Sequence, residues 1–264
     1  MSPRRGALRD VLAAEWIKMR TVRVTWWLAA GGLGGAALMA LLAWSAVAQW
    51  DRVPPERQAD SYVSWLPPVA GWIAALCLAV LGILTITSEY GSGLVRTTFV
   101  VLPRRRLVLG AKALLLAAVA LVAGTAAVFL THYVVVWIIG DRQINGQPTD
   151  GRTGALVVLG LAVVMYALLG MGLAALTRSA VASVVVLVLL WYGLPIVLGN
   201  VPGRWAQWVG AVLPAALAEQ ASGVGAGESV YAHLLAPPVA FAVMAAWALV
   251  PLGVALFLVE RRDA

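Results

Sequence analysis

Long uncharged runs alternate with short polar connections along this chain. Six runs reach the length of a membrane-crossing helix: Thr25–Ala48, Val69–Thr87, Ala113–Ile139, Gly154–Leu176, Ala180–Gly199 and Ala236–Val259. The runs are continuous rather than alternating, so they predict helices and exclude an outer-membrane barrel. The expected fold class is all-α and polytopic, with residues 1–264 forming one transmembrane domain. Gly31 and Gly35 in the first run form a small-xxx-small pair that permits close helix approach. Pro195 falls near the end of the fifth run, and Pro237 and Pro238 suit the first turn of the sixth, where Pro251 is a candidate kink.

The connections differ in kind. Residues 1–23 place Leu8, Val11, Leu12, Trp16 and Met19 at helical spacing, with Arg9, Lys18, Arg20 and Arg23 elsewhere on the surface. This predicts an amphipathic helix in the inner membrane interface, held by apolar contact and anionic lipid. A signal peptide is the rival, since Ser45–Ala48 resembles a cleavage site. The apolar run before it is too long for a signal core. Residues 88–112 form a basic connection, with Arg96, Arg104, Arg105, Arg106 and Lys112 against Glu89. Within it, residues 94–102 read LVRTTFVVL, apolar on most sides and bounded by Gly91, Gly93 and Pro103. That pattern predicts a short helix on which a soluble partner docks. Between the fifth and sixth runs, Trp205, Trp208, Val212 and Leu213 give an apolar stretch too short to span, ended by Pro214. A re-entrant or interfacial helix fits it.

Composition agrees with this class: 62% of the residues are hydrophobic and 12% charged, against about a quarter charged in soluble domains. Charge then sets orientation. Of the 19 basic residues, most fall in residues 1–23 and 88–112, in the turn at Arg178 and at the C-terminal end. Only Arg52, Arg57, Arg142, Arg152 and Arg204 lie in the other connections. Basic connections stay in the cytoplasm, so both termini are expected there. The net charge of +7 then belongs to one membrane face rather than to a nucleic-acid surface.

Candidate chemistry is sparse. None of the six runs carries a charge, which argues against an ion-coupled carrier. Neither lysine follows a glycine, so there is no phosphate loop. The single Cys77 excludes an internal disulfide, and His132 and His233 have no companion ligands in sequence, so neither a metal site nor an enzyme is expected. Glu89, at the end of the second run, is either an ordinary interfacial charge paired with Arg96 or another arginine, or a hinge contact that transmits motion.

The strings AEWIKMRTVRVTWW (residues 14–27) and TSEYGSGLVRTTFVVLPRRRLVLGAKA (87–113), with the six-run layout, resemble the membrane subunits of type 2 ABC export systems of actinobacteria. The resemblance implies a permease in the bacterial cytoplasmic membrane for a hydrophobic or amphipathic substrate such as a drug, antibiotic, peptide or lipid. It implies a connecting helix over residues 8–23, carrying Glu15, Trp16, Lys18 and Arg20. It implies a coupling helix over residues 91–102 seated on the ATPase, and re-entrant helices over 205–217 near the exit, with Trp205, Trp208 and Pro214. Glu89, Gly91, Gly93, Arg96, Thr97, Thr98 and Phe99 become the candidate coupling residues. The implied partners are a separate ABC ATPase dimer, which holds the ATP and Mg, a second permease copy or homologue, and lipid. No cofactor is expected in this chain. The alternatives are a non-transporting immunity or regulatory subunit and, beyond that, a secondary transporter.

Overall fold

A computed structural model describes residues 3–58, 64–91, 105–142, 144, 146, 152–223, 231 and 234–261. Among them there are helices and turns and no strand. The helices are α1 (Pro3–Thr21), α2 (Arg23–Trp50), the short α3 (Pro55–Gln58), α4 (Pro67–Gly91), α5 (Arg105–Ile139), α6 (Thr153–Thr177), α7 (Ala180–Asn200), α8 (Arg204–Ala211), α9 (Pro214–Ser222) and α10 (Pro237–Arg261). Six of these, α2, α4, α5, α6, α7 and α10, are long and apolar enough to cross a membrane, which marks a multi-pass membrane protein.

The bundle is built around α6. Buried residues make up 72% of its most apolar stretch, against 17% for α7. Its glycines explain how one helix accommodates so many neighbours. A Cβ on Gly160 would lie 2.5 Å from the Thr125 methyl of α5. One on Gly170 would lie 2.5 Å from the Ala79 carbonyl oxygen of α4, and one on Gly172 2.7 Å from Pro251 of α10. Lipid is as apolar as leucine, so helices in a membrane gain from close backbone approach rather than from apolar burial alone. The α4 side reciprocates, because a Cβ on Gly82 would collide with the backbone of Ala167 and Met171. Around this crossing Leu78, Leu116, Leu169 and Met171 are fully buried. The predicted Gly31/Gly35 pair packs within the chain, against Cys77 and Ile73 of α4.

Proline shapes α7. Pro195 supplies no N–H to the carbonyl one turn back and its ring crowds that carbonyl. The helix widens into a π turn over Leu189–Gly193 just before it. That turn carries Trp191, stacked on Tyr166 of α6 with ring centroids 4.0 Å apart. Between α6 and α7, Arg178 takes a left-handed conformation (φ 54°), and Ser179 caps α7 by accepting from the Ala182 N–H.

Two sequence expectations need correction. Helix α5 begins at Arg105 rather than Ala113, so Lys112 belongs to a helix rather than to the connection. Its first turns are held by packing of Val108 and Ala111 against Val11 of α1. The predicted run Ala113–Ile139 itself stays uncharged; Lys112 stands just before it on the same helix. Second, the buried face of α1 is Val11, Glu15 and Met19, with Leu12 beside it, and it rests on protein. Trp16, expected on that face, is exposed.

Candidate functional site: an ion cluster joining three helices

Spacing of four along α1 puts Val11, Glu15 and Met19 on one stripe, so Glu15 is carried inward with its apolar neighbours and is only 5% exposed. Two other helix ends meet it there. Glu89 lies two residues before the end of α4, and Lys112 sits about two turns into α5. The Lys112 ammonium donates to Glu15 Oε2 at 2.5 Å and to Glu89 Oε1 at 2.7 Å. Lys18, one turn after Glu15, donates to Glu15 Oε1 at 2.9 Å and to Glu89 Oε1 at 3.1 Å. Two carboxylates and two ammonium groups thus alternate around a ring.

These charges do not serve their own helices. The C-terminal end of a helix is its negative pole, yet α4 carries Glu89 there; the N-terminal end is positive, yet α5 carries Lys112 near it. Each is tolerated because the other lies against it. Lys112 is 7% exposed, and a buried ammonium without partners costs several kcal/mol. Lysine suits the position, since a compact ammonium with three donors can bridge two carboxylates on different helices, where a planar guanidinium favours one bidentate partner. Burial works against the charge of Lys18, but its hydrogen bonds to Glu15 and Glu89 outweigh that and hold it above the usual lysine range.

The sequence-predicted residues divide around this cluster. Glu15, Lys18 and Glu89 are brought together, while Arg20 is exposed and its backbone carbonyl accepts from the Trp26 indole at 2.9 Å. Gly91 closes α4. Gly93, Arg96, Thr97, Thr98 and Phe99 lie outside the described residues. Among the described residues Glu89 meets the two lysines; Arg96, one of the arginines considered as its partner, lies outside them. Sequence reasoning missed Lys112 because the residue was assigned to the connection. The available signal was that Lys18 and Lys112 are the only lysines in an arginine-rich chain.

At the opposite end of the bundle, Arg142 grips Asp51 through two hydrogen bonds of 2.9 and 3.0 Å, joining the ends of α2 and α5. Beyond α7, the chain from Trp205 to Leu217 forms two helices, α8 and α9, broken at Pro214, which starts α9. Trp205 and Trp208 are exposed. The carbonyls at the break are met by side chains: Gln220 Nε2 donates to Ala211 at 2.8 Å, and the Trp247 indole of α10 donates to Val212 at 2.8 Å. Gln220 Oε1 also accepts from the Leu235 N–H at 2.9 Å, and the Tyr231 hydroxyl donates to the Pro195 carbonyl at 3.0 Å. Among the described residues, no three His, Cys, Asp or Glu side chains group closely enough to share a metal. No family model matches the chain, and no curated protein is significantly similar to it.

Proposed function

We propose that the chain is the permease subunit of a type 2 ABC export system, forming a pathway for a hydrophobic or amphipathic substrate and driven by a separate ATPase. The observation that carries this reading is the ion cluster. It fastens α1 to the end of α4 and the start of α5, the two helices that flank residues 92–104. A force applied to that connection by a soluble partner reaches three helices at once through Glu89 and Lys112. Glu89, Gly91, Gly93, Arg96, Thr97, Thr98 and Phe99 are the proposed coupling residues, and both termini are proposed to be cytosolic. The pair α8 and α9, tied to α7 and α10 by Tyr231 and Trp247, supports a cap near the exit.

Purification of the tagged chain from its native membranes tests this. An ABC ATPase should come down with it, and proteoliposomes of the complex should move substrate only when ATP is supplied. Transport driven by a proton gradient in vesicles without ATP, or a chain that purifies with no ATPase, would overturn the reading.

A further inference from the structure

Tyr166 of α6 and Trp191 of α7 are 3% and 4% exposed, and each lies near the middle of its candidate span. Tyrosine and tryptophan buried this deeply usually find a hydrogen-bond partner. Among the described residues, neither the Tyr166 hydroxyl nor the Trp191 indole N–H has one. The described side-chain atoms that are both unpartnered and sealed from contact are the indole nitrogens of Trp50 and Trp65. The Tyr166 and Trp191 groups are therefore unpartnered without being sealed, and they open on a space that a small group can enter. The backbone beside them has the same deficit. The Leu194 N–H donates to the Leu189 carbonyl, five residues back, and Pro195 has no N–H. The Leu190 carbonyl thus loses both donors that a helix could offer it. Three rings lie almost parallel at this point: Trp191 on Tyr166 at 4.0 Å and 16°, and Tyr192 beside Trp191 at 5.6 Å and 10°. Tyr192 is 45% exposed, so the stack has an open end.

We propose that the π turn of α7 and the facing part of α6 form a binding site for a neutral, planar aromatic compound that carries carbonyl or ether oxygens. The Tyr166 hydroxyl and Trp191 N–H donate to those oxygens, and the compound's ring extends the stack at Tyr192. Acyl chains cannot meet these polar groups, because phosphate and ester oxygens lie at the two faces of a bilayer and not at its middle. Neither α6 nor α7 carries a charged residue, which selects a neutral compound over an ion. A π turn is a common device at functional sites, since it widens the helix and withdraws backbone groups from the ladder. The site narrows the substrate class of the proposed exporter and rests on that reading only for the fate of the bound compound. Binding itself needs no ATPase.

The test is equilibrium dialysis of the purified full-length chain in phosphatidylcholine nanodiscs, with empty nanodiscs as the baseline. The probes are 9,10-anthraquinone and anthracene, which share a planar three-ring frame and differ in the two carbonyl oxygens. The wild type should bind anthraquinone saturably and at least tenfold more tightly than anthracene. Tyr166→Phe and Trp191→Phe each keep a ring and remove one donor, and each should lower that preference about fivefold, the usual worth of one hydrogen bond. Tyr192→Leu should weaken both probes alike, while Tyr133→Phe, exposed on α5, should change neither. Reading the preference between probes separates lost hydrogen bonds from a general loosening of the fold, which would weaken both. Anthraquinone uptake no greater than in empty nanodiscs, as expected if water alone fills the space, overturns the proposal. So does equal binding of the two probes, or a preference that survives in the double Phe variant. None of these outcomes bears on whether an ATPase accompanies the chain, so the export reading stands or falls separately.

Discussion

Lys112 and Glu15 stand ninety-seven residues apart in the chain and 2.5 Å apart in space. Their contact pins the leading helix to the third long apolar helix at a depth where neither charge is well solvated. It is best understood with Glu89, because Lys112 serves both carboxylates. Lys112→Met should therefore destabilise the chain by about 3–5 kcal/mol, the usual effect of removing one partner of a buried ion pair. Thermal unfolding in detergent measures this. A loss under 1 kcal/mol would mean that water reaches the cluster freely.

The glycines of α6 make a sharper steric prediction. Gly170→Ala sets a methyl 2.5 Å from the Ala79 carbonyl oxygen, with backbone rather than a flexible side chain in the way. Overpacking of this kind costs about 1–3 kcal/mol or more. Gly34→Ala, where a Cβ meets nothing within 4 Å, should be neutral or slightly stabilising. Equal effects in the two variants would refute the described α4–α6 crossing.

Gln220 is 6% exposed and holds the Ala211 and Ala216 carbonyls and the Leu235 N–H. Gln220→Leu keeps the volume and strands the Ala211 carbonyl and the Leu235 N–H, for an expected loss of about 1–3 kcal/mol. Hydrogen exchange at the Leu235 amide should quicken in the same variant. Protection that survives the substitution would show that another acceptor holds that amide.

The Asp51–Arg142 pair predicts a modest acid dependence. The hydrogen bond from Arg142, with the attraction of its charge, holds the Asp51 carboxyl below its ordinary value against the opposing effect of desolvation. A carboxyl whose folded pKa is depressed contributes stability above its unfolded pKa, about 3.9, and that contribution fades as pH falls through the folded value. Asp51→Asn should remove this dependence and leave stability at neutral pH little changed, because Asp51 is exposed and Arg142 partly so. An identical acid profile in the variant would show the pair to be energetically silent.

Orientation is testable with cysteines in a Cys77→Ala background. If the basic connections face the cytosol, a membrane-impermeant maleimide should label cysteine at Arg57 in intact cells and leave cysteine at Arg20 unlabelled until the cells are opened. The reverse pattern would invert the topology.

The sequence by itself determined the number, type and approximate place of the apolar helices. Hydropathy acts over some twenty consecutive residues, and no tertiary contact is needed to exclude such a run from water. It also determined the breaks at Arg178 and Pro214, because backbone chemistry is local; the π turn before Pro195 appeared only in the structure. It placed Glu15, Lys18 and Glu89 among the residues of interest without their partners. Only the tertiary structure decided that α5 starts at Arg105, because its first turns are held by Val11 and Glu15 of a distant helix. Only the tertiary structure decided which stripe of α1 is buried. Amphipathic spacing identified an apolar face that included Trp16; packing chose the stripe of Val11, Glu15 and Met19, since Glu15 has a buried lysine to meet. A charge on an apolar face reads as a defect in one helix and becomes a cross-link when the opposite charge arrives on another.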